Sequence, residues 1–141
     1  MMKELTVDAT IENIPVVTAF VEEHLEQYNC PPKAQMQIDI AIDELFSNIA
    51  LYAYGKPPAE GKATVRVEVT SDPLAVVITF IDNGVPYDPL AKEDPDVTLP
   101  AEDRQIGGLG IFMVKKTMDE ITYQYKNGQN ILTIKKTIDN S

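Results

Sequence analysis

The sequence predicts an α+β domain: a two-layer sandwich in which a mixed, largely antiparallel sheet carries about three helices on one face. Two patterns support this. Strand-like segments come in pairs around short turns, 63–70 with 74–81 and 121–126 with 129–138, as antiparallel hairpins require. Helix-like segments fall at 13–28, 31–54 and 108–119, too few to cover both faces of a sheet. A chain of 141 residues with 44% hydrophobic content is expected to be a single domain, residues 1–141, around one core.

Each element has a local reason. Residues 3–10, KELTVDAT, alternate as an opening strand does. In the first helix Pro15 suits the first turn, where no amide hydrogen is needed, and Val16, Phe20, Val21 and Leu25 recur at helical spacing. His24 is expected on its solvated side. Pro31 and Pro32 start the second helix, whose Ile38, Ile42, Leu45 and Ile49 step by four, three and four into one buried stripe. Ser71-Asp-Pro73 turns one strand into the next. There LAVVITFI, 74–81, is nearly continuous apolar and reads as a central strand. Residues 85–107 carry Pro86, Pro89, Pro95 and Pro100 among several acids without periodicity, the composition of a functional lid. Asn127-Gly128 marks the last hairpin.

Composition narrows the function. A net charge of −10 opposes binding to a phosphate backbone, so direct nucleic-acid binding is not expected and partners with basic surfaces are easier to accommodate. No apolar run approaches the roughly 20 residues of a membrane span. The N-terminus lacks a signal-peptide pattern, and Cys30 as sole cysteine fits a reducing, cytoplasmic setting. One histidine and one cysteine supply neither a metal cluster nor a catalytic triad.

Three polar groups can carry chemistry. Glu44 and Asn48 are four apart on one helix face at the edge of the Leu45/Ile49 stripe. A carboxylate there can activate a hydroxyl and an amide oxygen can hold Mg²⁺; a solvated face shared with Asp39 and Asp43 is the plainer alternative. Asp82 ends an apolar strand, where it can accept a hydrogen bond from an exocyclic amine, and Gly84 lets a flat ring come close. Asp-Asn-Gly is equally a turn. Gly107, Gly108 and Gly110 open the third helix, so their amides can meet an anion or serve as a lid hinge. Arg104 lies just ahead, within reach of a terminal phosphate or facing solvent.

Glu44 with Asn48, Asp82-x-Gly84 and Gly108-x-Gly110, in this order, resemble the three nucleotide-binding boxes of the GHKL (Bergerat-fold) ATPases, which include gyrase, histidine kinases and MutL. Within that superfamily the short chain is similar to the bacterial anti-sigma factor serine/threonine kinases. The stretches DELFSNIALYAY and GGLGIFMVKKTMDEITY are the most telling, and the likeness extends over essentially the whole chain. The resemblance implies ATP and Mg²⁺ as cofactors, with Glu44 as general base and Asn48 as metal ligand. Asp82 would read the adenine amine beside Gly84. Gly108, Leu109 and Gly110, with Arg104, would meet the phosphates under the lid. It further implies a cytoplasmic homodimer that phosphorylates a STAS-domain anti-anti-sigma protein and sequesters a sigma factor. A non-catalytic nucleotide switch that holds a regulatory partner is the alternative; the ATP-binding half of a histidine kinase would need a phosphoacceptor hairpin that the lone His24 helix does not offer. The chain departs from the pattern at Tyr52, where many members carry histidine, and at Asn130 and Thr133, neither an unambiguous match for the family's late-strand hydroxyl.

Overall fold

The computed structural model describes residues 2–54, 61–71, 73–91 and 109–138. Along them run β1 (Met2–Asp8), a 3-10 turn (Ile11–Asn13), α1 (Ile14–Glu26), α2 (Pro32–Tyr52), β2 (Lys62–Thr70), β3 (Ala75–Asp82), a second 3-10 turn (Pro89–Ala91), α3 (Leu109–Thr117), β4 (Glu120–Lys126) and β5 (Gln129–Thr137). The five strands form one sheet in the order β1-β2-β3-β5-β4. Every pairing among them is antiparallel. β3 lies at the centre, as its continuous apolar run predicts.

Side-chain alternation decides which face the helices cover. Across the sheet Leu5, Val65, Phe80, Leu132 and Tyr123 lie in one register row. All of them belong to or pack on the buried cluster with Ile38, Ile42, Leu45 and Phe46 of α2. The α3 residues Ile111 and Val114 close the same core. The next row on this face is Val7, Ala63, Asp82, Asn130 and Tyr125, so the parity that buries Phe80 carries a carboxylate and an amide to the edge of the core. The β4–β5 hairpin turns on Asn127 and Gly128, with φ of 53° and 78°, the conformation that Asn-Gly favours and that matches strand twist.

α1 buries Val21 and Leu25 and packs Phe20 on the core as expected, but the edge of the face shifts by one residue, from Val16 to Val17. Its buried residues are Val17, Val21, His24 and Leu25, whereas Val16 is exposed. Both Val16/Phe20 and Val17/Val21/Leu25 have helical spacing, and the second set meets the sheet. His24 is therefore not solvated: it is 4% exposed, and neither ring nitrogen has a hydrogen-bond partner among the described residues. Its ring lies 6.0 Å from that of Tyr28. Burial, with the charge of Lys3 adding, lowers its pKa below the ordinary value. The unfolded chain thus takes up the proton first as pH falls, so stability drops below about pH 6.5 until the folded pKa is passed. His24→Leu removes that slope and the unpaired nitrogens, and urea unfolding at several pH values should show a flatter profile and a gain of about 1–2 kcal/mol at pH 7.

Candidate functional site

The cleft lies where α2 crosses the ends of β3 and β5. Leu45, Ile49, Phe80 and Leu132 form its apolar floor; Asn48, Asp82, Asn130, Tyr87 and Tyr123 supply its polar and aromatic walls. A mostly apolar slot with a few convergent polar groups is the usual form of a small-molecule site.

Asp82 is 4% exposed and held by two donors on one oxygen: Oδ1 accepts the Gly84 amide at 2.9 Å and the Asn130 Nδ2 at 2.9 Å. Two such bonds satisfy a buried carboxylate on one side. Its Oδ2 takes part in neither. Around this pair Tyr54 clamps the loop, its hydroxyl donating to the Lys62 carbonyl at 2.5 Å and accepting the Asn83 amide at 2.8 Å. Burial, augmented by the Asp82 charge, raises the Tyr54 phenol above its ordinary pKa, so the donor proton stays in place.

Gly84 has a different reason from the one the turn pattern suggests. Its φ is not in the left-handed region, where Gly128 is the only glycine among the described residues. Instead a Cβ at Gly84 would overlap the carbonyl of Ala53, and the Val85 amide donates to that carbonyl at 2.8 Å. The close approach is between the strand-end loop and the end of α2, which fixes the distance between Asp82 and the Glu44/Asn48 face. Gly84→Ala is expected to cost about 1–3 kcal/mol by chemical unfolding, because backbone on both sides must yield.

Glu44 and Asn48 do not share a solvated face with Asp43. Asp43 is exposed, while Glu44 and Asn48 are half-buried. The Glu44 carboxylate lies against the first turn of α3: a Cβ at Gly110 would overlap it. A carboxylate fits there because the amides of a helix N-terminus carry partial positive charge. Asn48, one turn along α2, lines the cleft, and its buried Nδ2 has no hydrogen-bond partner among the described residues. That leaves the orientation of the amide open. Rotating the side-chain amide would offer its oxygen to a hard cation. No group of three or more His, Cys, Asp or Glu stands together among the described residues. Mg²⁺ keeps waters and substrate phosphates and needs only one or two protein oxygens, so the Asn48 oxygen would suffice as a protein ligand.

Arg104, Gly107, Gly108 and the lid from 92 onward lie outside the described residues, and of Leu109 only the backbone, opening α3, is placed. Of the two late-strand residues, Thr133 sits opposite Thr79 on the sheet face away from the helices, while Asn130 faces the cleft. Sequence pattern does not assign Tyr123 or Tyr87 to the site and offers Asn130 only as an ambiguous match for a late-strand hydroxyl. Strand parity alone would have found Asn130, which shares its face with Leu132 and Ile134. Tyr52 is 47% exposed and stacks on Tyr87, ring centroids 5.4 Å apart, so an aromatic contact occupies the place of the histidine seen in many members.

Comparison with known proteins agrees with this fold. A profile described as histidine kinase-like ATPase domain matches residues 7–136. Serine-protein kinase RsbW of Listeria monocytogenes is 30% identical over 102 residues, covering 70% of this chain and 63% of that protein. Serine/threonine-protein kinase BtrW of Bordetella bronchiseptica is 27% identical over 104 residues, covering 72% of this chain and 70% of that protein. The chain therefore spans less than two thirds of the RsbW relatives it matches. A solved chain holding the RsbU and RsbW domains of a Mycobacterium tuberculosis protein superposes with a TM-score of 0.68 at 20% identity, over 98% of this chain and 32% of that one, which supports the fold. The profile spans both hairpins, all three helices and every described residue of the cleft: the chain belongs to the histidine kinase-like ATPase domain family.

Proposed function

We propose that the cleft binds ATP with Mg²⁺ and that the protein is a serine/threonine kinase acting as an anti-sigma factor, with a STAS-domain anti-anti-sigma protein as phosphoryl acceptor. One observation carries the reading: Asp82 and Asn48 line the same slot, and Glu44, one turn before Asn48 on α2, lies against the first turn of α3. The names of the RsbW and BtrW relatives support the activity.

In this reading the adenine lies on Leu45, Ile49, Phe80 and Leu132 with its amine on Asp82 Oδ2. The phosphates would reach the α3 N-terminus, where the backbone of Leu109 and Gly110 begins the helix; the roles of Gly108 and Arg104, outside the described residues, rest on the family resemblance. Asn48 and the phosphates would hold the metal, which would neutralise phosphate charge. Glu44 leaves Gly110 for the acceptor hydroxyl and takes its proton. The serine or threonine oxygen bonds to the γ-phosphorus as the β–γ bridging bond breaks, and ADP leaves. Positioning and charge neutralisation carry most of the rate. A homodimer and a cytoplasmic setting complete the proposal; no helix of the described residues is long and apolar enough to cross a membrane.

The test is phosphoryl transfer. Purified protein, Mg²⁺-ATP and a STAS-domain acceptor should give one added phosphoryl group on an acceptor serine or threonine, read by intact-mass measurement. An unmodified acceptor under conditions of demonstrated ATP binding would favour the non-catalytic switch instead.

A further inference from the structure

We propose that Asn130 is the positioning residue that turns Asp82 into a reader of a 6-amino purine and fixes the adjoining aromatic wall; this rests on the cleft being a nucleotide site. Asn130 is 5% exposed, and its amide uses all its capacity. Nδ2 donates to the Val85 carbonyl at 2.8 Å and to Asp82 Oδ1 at 2.9 Å. Oδ1 accepts the Tyr87 amide at 3.2 Å and the Tyr123 hydroxyl. The orientation of the amide is not free. A carbonyl can only accept and a backbone amide can only donate, so Val85 and Tyr87 together decide which end is nitrogen.

Two consequences follow from that one orientation. Asp82 Oδ1 is filled by donors from Asn130 and Gly84, so a ligand meets the other oxygen, which as a carboxylate oxygen accepts but cannot donate. A purine with an amino group at the 6-position satisfies it, whereas a 6-oxo purine sets oxygen against oxygen. The same amide also pins residues 85 and 87, which places the Tyr87 ring on Tyr52 beside the cleft. Asn130 contacts no base itself in this arrangement, because its donors and its oxygen are already engaged. Burial, with Asp88 and Asp82 adding, raises the Tyr123 phenol, so Tyr123 remains a donor to Asn130. The Tyr54 phenol is raised as well, which leaves Asp82 and the exposed Asp88 as the carboxylates beside the node.

The test uses the full chain and the dissociation constants of ATP and inosine triphosphate, two ligands that differ in the 6-substituent and, with it, in N1, which accepts in ATP and carries a hydrogen in the 6-oxo purine. They are measured from about pH 5.5 to 8 for wild type, Asn130→Asp and Asn130→Ser. Wild type should favour ATP by roughly a hundredfold at every pH. Asn130→Ser cannot hold Asp82, Val85 and Tyr87 together and should shrink that ratio at least about tenfold. Asn130→Asp should lose about tenfold in ATP affinity at pH 8 and regain it as pH falls, since a shared proton restores a donor to Asp82. A merely structural role would weaken both ligands alike and leave the ratio unchanged. Wild-type ratios and pH profiles in the variants that fold, with Asn130→Ser sufficient alone, would overturn the role of Asn130 while leaving the nucleotide site standing. Absence of ATP binding by the wild type would instead remove the nucleotide reading itself.

Discussion

Glu44→Gln is expected to lower phosphoryl transfer by about 10²–10⁴ while leaving ATP affinity within a few-fold of wild type, the usual cost of removing a general base that does not hold the ground state. The amide keeps the size and polarity of the side chain but cannot take a proton. The position of Glu44 supplies a companion variant. Its carboxylate lies against Gly110, and the group that a methyl there would strike is the mobile end of a flexible side chain. Gly110→Ala therefore displaces the carboxylate without unfolding α3, and alanine is a better helix former than glycine. Turnover should fall although the carboxylate remains. Rates are read by single-turnover transfer to the acceptor and affinity by calorimetry. Wild-type turnover in Glu44→Gln would remove Glu44 from the base role; partner exchange that persists without any transfer in wild type would mark a switch.

Asn48→Ala should weaken Mg²⁺-ATP roughly a hundredfold, since contacts to charged groups are worth about 1.5–3 kcal/mol. Its affinity for ATP in chelator should change much less. The fold should survive, because Asn48 Nδ2 has no hydrogen-bond partner among the described residues and alanine suits a helix interior. Thermal unfolding checks the second point and calorimetry with Mg²⁺ or chelator the first. Unchanged affinity together with unchanged Mg²⁺ dependence would contradict the metal role.

Much of this arrangement is legible in the chain because it follows period and parity. The hairpins, the central apolar strand and the Ile38/Ile42/Leu45 stripe emerge as their patterns indicate. Period alone does not choose between two overlapping stripes, and α1 shows the result: Val17 rather than Val16 is buried, and His24 is carried inward with it. Gly84 is legible as a necessary glycine but not for its reason, since the contact with Ala53 joins residues distant in sequence. Asn130 reaches Asp82 through the β3–β5 register, which a strand-by-strand reading does not fix. The Tyr52–Tyr87 stack leaves no periodic trace at all.

The central claim is that one cleft takes the base at Asp82 and the metal-bound phosphates near Asn48 and Gly110. Calorimetric titration of the wild-type chain with ATP and ADP, in Mg²⁺ and in chelator, tests it most directly. One site per chain is expected, with ATP binding strengthened by Mg²⁺. No heat and no competition against a fluorescent ATP analogue, from folded protein in Mg²⁺, would contradict it.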